Sequence, residues 1–534
     1  MILGVWSGHD ANFALLDDNG KVLQHCEIER HVREKEPAAD SLEWFKKFNK
    51  NFDNIDIIAT CWSTDKLKKS PLYLEILNKK FHIISHHEAH AADARYSSKF
   101  NECAVLVVDG GGYDDAQNTT IATSIWHAPD TNTLTAVHKI KENQLNIGGV
   151  WTRATRYVFG LESGWPQGHQ AGSVMAMAAF GDSTKYINRF RQAFTTNRLS
   201  ATSTPQGHIK GMSAKHPNRP KHHYFKDLEE LAMSSTQEMY DIAAGLQAAT
   251  EEILLSLIDK AAQYSKNICL TGGVALNTMF VGHLHDLRPD LNIFVPAIPY
   301  DAGLTIGAAK HYLHVVKKQA WSPSVNNSVP YYGTSYTESE IMNVVDTYTT
   351  QLNVNKVSDE FVLKLLADQK IVAVFSGRSE SGRRALGHRS ILADPRSSSM
   401  KDHVNQKVKH RQSYRPFAPS ILREHVQDWF KHDVDAPYMN TVIQVKDNKK
   451  NQIPAVIHID NSARLQTLTK EDNGWYYDFI SKWFAISGVP MLLNTSFNDR
   501  EPICESPQDA LTCFMNTNVD ALYFTDYGIL VTKQ

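Results

Sequence analysis

Residues 81–100 read FHIISHHEAHAADARYSSKF, and residues 104–112 read AVLVVDGGG. In the first stretch four histidines fall within nine residues, and His86 and His90 stand four apart. The run predicts a short strand at "HIIS" and a helix opening near His86, which sets both rings on one helix face. The second predicts a buried strand that ends in Asp109 and runs into Gly110 and Gly111. Two neutral imidazoles one turn apart can share a divalent ion, the geometry that HExxH helices use. The glutamate of HHEAH is misplaced for a zinc-protease base, and ordinary packing or surface histidines remain an open reading.

The same theme returns downstream. Residues 241–264, DIAAGLQAATEEILLSLIDKAAQY, predict a long helix that leads into strand "NICL" and the loop "TGGVALN" at 271–277. Residues 293–313, IFVPAIPYDAGLTIGAAKHYL, give strand, loop and helix again, with Asp301 just ahead of the helix. Upstream, MILGVWSGHDANFALLDDNG predicts antiparallel strands with "DDNG" as a turn, and sets His9 and Asp10 at the end of the first strand. Two α/β halves of this kind point to a duplicated nucleotide-binding fold, with ligands at the carboxyl ends of strands. Asp109 and Asp301 would complete a mixed nitrogen and oxygen shell suited to iron, zinc or manganese. Each also reads as a helix N-cap. The glycines of "DGGG" and of "TGGVALN" (Gly272 and Gly273) predict close backbone approach to a phosphate, with amides facing it at a helix N-terminus. A tight turn is the other reading.

Composition sets the frame for these motifs. With 42% apolar and 21% charged residues among 534, the chain is long enough for roughly two to four domains with sizeable cores. A net charge of -2 excludes a chain-wide basic field for nucleic acid or anionic membrane. Six scattered cysteines with no CxxC pair argue against a disulfide framework and fit a reducing cytoplasm. The first residues read as a strand rather than a signal peptide, and no run of 18 apolar residues occurs. These features predict a soluble cytoplasmic protein.

Composition shifts at 317–335, KKQAWSPSVNNSVPYYGTS, the expected linker, and the chain then turns basic. Arg378, Arg383, Arg384 and Arg389 fall among glycines and serines, followed by Lys409, Arg411, Arg415 and Arg464. Guanidinium forks match phosphate and carboxylate oxygens bidentately, so this third is expected to hold anions. Asn494, Ser496 and Asn498 of "LNTSFN" add neutral donors.

Taken together, these motifs resemble the O-carbamoyltransferases of nodulation-factor and antibiotic tailoring, which have phage relatives. The resemblance runs through HHEAH (86–90), VVDG (107–110), GGVALN (272–277), DAGLTIGAA (301–309), RALGHRSILADPR (384–396), NQKVKHRQSYRPFAP (405–419), HIDNSARLQT (458–467) and LNTSFN (493–498). It implies an α/β fold. An actin-like (ASKHA-type) duplicated domain, related to the enzyme that makes threonylcarbamoyl-adenosine in tRNA, would span 1–325, and a YrdC/Sua-like domain 326–534. The second domain would join carbamoyl phosphate and ATP, the latter with magnesium, into carbamoyl-adenylate. The first, carrying a metal, would pass the carbamoyl group to an alcohol. Carried over by motif, His86, His90, Asp109 and Asp301 would bind the metal, with iron expected and manganese or zinc as alternatives. Gly272, Gly273 and Asn277 would touch nucleotide, and Arg384, Lys409, Arg415, Arg464 and Ser496 would line the adenylate-forming site. Two positions depart from the family pattern. Arg383 replaces the proline of GPRALG, and Ser173 stands where lysine is usual.

His9 is the expected general base, oriented by Asp10; a turn-forming aspartate and an exposed histidine is the alternative. For the acceptor, segment 208–226 holds Lys210, Lys215, Arg219, Lys221 and Lys226 with no acidic residue. A loop of that kind tracks a phosphate backbone, and the phage relatives make hydroxymethylcytosine in DNA or nucleotide an acceptor hypothesis. A sugar, aminoglycoside or polyketide alcohol is the runner-up. An actin-fold kinase or ATPase is the reading from another class, and it leaves the arginine-rich third unexplained. No membrane partner is expected, and the oligomeric state is open.

Overall fold

A computed structural model describes the whole chain except residues 62–66, 115–117, 163, 165–167, 196–223, 324–328 and 349. Two compact units emerge: Met1–Phe280 with Asp286–Asn327, and Val281–His285 with Ser328–Gln534.

The first unit holds two five-stranded sheets. One is built from β1 (Ile2–Trp6), β2 (Asn12–Leu16), β3 (Val22–Glu27), β4 (Ile57–Thr60) and β5 (Lys80–Ile83), in the order β3-β2-β1-β4-β5. The other uses β6 (Cys103–Asp114), β7 (Thr119–Ala128), β8 (Thr135–Lys141), β9 (Asn267–Thr271) and β10 (Asn292–Phe294). Its order, β10-β9-β6-β7-β8, is the same series read from the other edge. In both, three consecutive strands pair antiparallel and the next two run parallel to the first. The duplicated α/β arrangement expected from the sequence is therefore visible in the strand order itself. Apolar letters explain the central strands, since every residue of β1 and β4 is buried.

Helix α1 (His86–Ser97) is capped by Ser85, whose hydroxyl accepts from the Glu88 amide at 3.3 Å. It packs on α2 (Leu304–His311), and the contact requires Gly307, where a Cβ would lie 2.0 Å from the Ala89 carbonyl oxygen. That close approach brings the turn Asp301–Gly303, just ahead of α2, against the histidine face of α1.

One expectation is corrected here. The DGGG run does not open onto a helix. β6 continues through the glycines to Asp114, with a register shift between Val108 and Gly112 against β7.

The second unit is built on a nine-stranded mixed sheet of β11 (Leu352–Lys356), β12 (Val372–Phe375), β13 (Arg389–Ala393), β14 (Ala418–Leu422), β15 (Thr441–Gln444), β16 (Ser462–Leu468), β17 (Met491–Ser496), β18 (Ala521–Phe524) and β19 (Ile529–Lys533). Its order is β11-β19-β18-β12-β13-β17-β14-β16-β15. Helix α3 (Gly474–Ser487) buries Tyr476, Phe479, Ile480 and Trp483 at helical spacing, each contributing roughly 1.5–3 kcal/mol. Both units thus have the expected α/β class. All six cysteines are free thiols. Among the described residues no helix is long and apolar enough to cross a membrane.

Candidate functional site

The first unit gathers His86 and His90 from α1, Asp109 from β6 and Asp301 from the turn before α2. Their ligand atoms all lie within 4.8 Å of one another, and all four residues are buried. His86 Nε2 stands 3.3 Å from Asp109 Oδ2, 3.4 Å from Asp301 Oδ1 and 3.2 Å from His90 Nε2. His90 Nε2 is 3.5 Å from Asp301 Oδ1. Ligands held about 2.1 Å from one ion are separated from each other by roughly 3.0–3.4 Å, so these gaps fit a shared divalent cation. Asp301 Oδ2 adds an orphan, a buried oxygen that accepts no hydrogen bond.

Electrostatics say the same. Burial pulls the His86 ring down, but Asp301 and Asp109 more than offset it and lift it to about 9. Burial would raise both carboxyls. The neighbouring histidines instead hold Asp109 and Asp301 well below the usual carboxylate range.

Supporting residues fix this geometry. The Gly273 amide donates to Asp109 Oδ1 at 3.0 Å, and the Gly272 amide donates to the Pro299 carbonyl at 2.8 Å. Gly272 needs its φ of 89° because a Cβ there would meet Val108 oxygen at 2.3 Å. Both amides are thus committed within the protein, which corrects the expectation that they face an anion. Gly110 faces open space and Gly111 lies beside Thr120. Asn277 exchanges two 3.0 Å hydrogen bonds with Gln247.

His9 and Asp10 occupy the β1–β2 hairpin turn. His9 Nδ1 is 3.0 Å from Asp10 Oδ2, and His9 Nε2 is 3.3 Å from Asp301 Oδ2. Asp301, helped by Asp10, lifts the ring to about 10, although its side chain is 60% exposed. Asp10 itself sits at φ 56°, and buried Asn12 holds that turn by donating to the Asp10 carbonyl at 2.8 Å and to the Asp301 carbonyl at 3.4 Å. Sequence reading missed Asn12. Its only signal was a polar letter opening an otherwise apolar strand. Ser173 is buried, and its hydroxyl has no partner among the described residues.

The second unit gathers cations. Burial, then Arg384, Arg411 and Arg415, depress Arg464 far below its ordinary value. Arg411 is depressed by burial and by Arg415, and Arg415 by burial. Among the described residues Lys409, Arg411, Arg415 and Arg464 have no carboxylate ion pair, and Arg464 Nε is buried with no partner. Guanidinium keeps its proton at any working pH, so this crowding asks for an anion instead. Lys409 is brought down to about 7 by burial, with Arg411 adding to it. Its Nζ donates to Ser496 and to Asn498, at 2.7 Å to both the carbonyl and Oδ1 of Asn498. Ser496 Oγ donates to Asn498 Oδ1 at 2.7 Å. A further group that sequence reading missed, Glu501, Cys504 and Cys513, converges within 4.8 Å and lies near Lys409.

Other expected members hold backbone rather than converge on this cluster. Arg378 donates to the carbonyls of Gly333 and Tyr332 at 2.8 and 2.7 Å. Arg389, fully buried, donates to the Ser376 and Gly377 carbonyls at 2.6 and 3.2 Å. Asn494 donates to Ala385 oxygen, Ser420 and Gln466. Of the basic segment, residues 208–223 lie outside the described residues, and Lys226 pairs with Glu229 at 3.0 Å.

Comparison with known proteins places these two sites in a family. Residues 66–310 match the carbamoyltransferase N-terminus and residues 363–531 the carbamoyltransferase C-terminus. The chain belongs to the carbamoyltransferase family, and it is a carbamoyl-transferring enzyme. Among its relatives, nodulation protein NolO of Bradyrhizobium diazoefficiens is 31% identical over 455 residues, 82% of this chain and 77% of that protein. The uncharacterised protein sll1178 of Synechocystis is 33% identical over 502 residues, 84% of this chain and 76% of that protein. Of solved structures, full-length HypF in its phosphate- and nucleotide-bound form aligns with a TM-score of 0.35 at 14% identity, covering 60% of this chain and 56% of that one.

Proposed function

We propose that the chain is an ATP-dependent O-carbamoyltransferase with two reaction centres. A YrdC-like domain, residues 326–534, makes carbamoyl-adenylate, and an actin-like domain, residues 1–325, transfers the carbamoyl group to an alcohol. The observation that supports this reading is the crowding of Arg411, Arg415 and Arg464, none of which has a carboxylate ion pair among the described residues.

In the first half-reaction, water cleaves carbamoyl phosphate to phosphate and carbamate. A carbamate oxygen then attacks the α-phosphorus of magnesium-bound ATP and expels pyrophosphate. Arg384, Arg411, Arg415 and Arg464 neutralise the converging anions, and Lys409 presents its Nζ proton to a phosphoryl oxygen. Ser496, Asn498 and Asn494 orient these groups, and Arg378 supports the backbone.

In the second, the acceptor oxygen attacks the carbamoyl carbon, AMP leaves, and the hydroxyl proton passes to His9 Nε2. His86, His90, Asp109 and Asp301 would hold a divalent ion, iron first and manganese or zinc as alternatives. When bound, that ion polarises the carbamoyl carbonyl as a Lewis acid. Asp10 keeps the His9 ring oriented through Nδ1, and a cation held by Asp301 would offset the negative charge that faces Nε2. The exposure of His9 suits a base that must reach an external acceptor. Gly110, Gly111, Gly272, Gly273 and Asn277 shape the floor against which the adenylate lies.

The acceptor proposed is a 5-hydroxymethylated pyrimidine, in DNA or as a nucleotide, favoured by the cations of 208–226. A small sugar or polyketide alcohol is the competing acceptor. Incubation with carbamoyl phosphate, ATP and each alcohol, read by mass spectrometry for one added carbamoyl group, decides between them. Absence of carbamoyl-phosphate-dependent pyrophosphate release refutes the adenylate step.

A further inference from the structure

Within the second unit, the segment Ala385–Arg389 follows Arg384 directly and is gripped from two sides. On one side, three side chains hold its carbonyls. Asn494 Nδ2 donates to Ala385 oxygen at 3.1 Å, while Gln466 Nε2 and the Tyr331 hydroxyl donate to Leu386 oxygen at 3.0 and 2.9 Å. On the other, a single carboxylate oxygen collects its amides. Glu380 Oε1 accepts from Leu386 at 2.6 Å and from His388 and Arg389 at 3.2 Å each. Glu380 is wholly buried, and its second oxygen has no hydrogen-bond partner among the described residues. The Tyr331 ring also stacks on His388 with centroids 3.6 Å apart, and His388 Nδ1 is tied to Arg378 oxygen at 2.6 Å.

Arg384 repels Arg464 and has Arg383 at its side. An unrestrained loop would swing Arg384 toward solvent and away from like charge. A carboxylate oxygen that accepts from three amides within four residues is a strong local restraint, because each bond is charge-assisted and shielded from water. We propose that Glu380 is a positioning residue for carbamoyl-adenylate formation, clamping the 385–389 backbone so that Arg384 stays in the anion site before substrate arrives. This rests on the two-centre reading above and adds a residue to it. The buried acid is therefore an organiser of the cationic site rather than a counter-ion to it.

The test uses the full chain and ATP–pyrophosphate exchange driven by carbamoyl phosphate. Glu380→Gln keeps the size and one acceptor oxygen but removes the charge, and Glu380→Ala removes the clamp. The KM for carbamoyl phosphate is expected to rise about fivefold in E380Q and more than about tenfold in E380A. The exchange kcat at saturation should stay within about threefold of wild type in E380Q, since the groups that touch the reacting atoms are retained. Metal content of the purified chain should not change. An unchanged KM in E380Q overturns the proposal, even where E380A does not fold. So does a parallel fall in kcat and metal content, which would mark a general folding role. A wild-type chain with no exchange at all would instead refute the adenylate reading itself.

Discussion

The two clusters of this chain are opposites in charge. In the first unit two imidazoles face two carboxylates, and each sign is met by the other. In the second, Lys409, Arg411, Arg415 and Arg464 converge with no carboxylate partner among the described residues. In the first, imidazole and carboxylate lie against one another within 3.5 Å. The second carries uncompensated repulsion that only an incoming anion relieves. One chain thus holds a cation-seeking centre and an anion-seeking centre, and losses at the two should look different.

The largest contrast comes from removing one member of each. Asp301→Ala takes away the one carboxylate among the described residues that stands within 3.5 Å of both His86 and His90, and with it the oxygen that faces His9. Carbamoyl transfer should fall by about a thousandfold or more, and the metal content of purified protein should drop below stoichiometry. Pyrophosphate exchange should survive. Arg464→Ala should do the reverse, with exchange reduced about a hundredfold or more and metal content intact. If either substitution abolishes both half-reactions while the fold persists, the division of labour is wrong. Arg464→Ala also relieves repulsion, so apo stability should hold or rise in urea unfolding, whereas Asp301→Ala should lower it.

Much of the first centre was readable as letters because its chemistry follows strand and helix periods. An i, i+4 histidine pair needs only a helix, and an aspartate at a strand end needs only the sheet that both halves repeat. What stayed hidden depends on where the chain turns back. DGGG reads as a loop, yet β6 runs on through it and resumes its pairing with β7 at Gly112. Arg378 and Arg389 look like Arg384 in sequence, but their forks fold back on carbonyls of Tyr332, Gly333, Ser376 and Gly377. Glu380 is a lone acid in a basic run, which reads as surface charge until three amides are seen converging on it.

A smaller effect separates the clusters by pH. Lys409 has a folded value near 7, lowered chiefly by burial, against about 10.4 in an unfolded chain. The sign follows from proton counts. Below pH 7 both states hold the proton, and the full cost of a buried charge is present. Between 7 and 10 the folded state has released it while the unfolded state keeps it, so stability rises with pH, by at most about 1.4 kcal/mol per unit. Urea midpoints for the second unit should therefore increase from pH 7 to 9, and Lys409→Met should flatten that slope. Saturating carbamoyl phosphate should flatten it too, because a bound anion restores the proton. A wild-type slope that is flat without ligand means that the Ser496 and Asn498 oxygens hold the ammonium against burial.

The smallest effect tests whether every orphaned polar atom awaits a ligand. Arg464 Nε and Ser173 Oγ are both buried without partners among the described residues. For the guanidinium the neighbouring cations supply a reason, since an anion would satisfy several groups at once. The Ser173 hydroxyl has no such company on its helix, Ala171–Ala178, whose buried positions are otherwise apolar. An unsatisfied buried hydroxyl costs about 1–3 kcal/mol, so Ser173→Ala should raise stability by about 1 kcal/mol, or Tm by roughly 2–4 °C. Transfer kinetics should not move. If Ser173→Ala instead lowers carbamoyl transfer while pyrophosphate exchange holds, the hydroxyl belongs to the transfer centre, and the first unit has an orphan awaiting substrate as the second does.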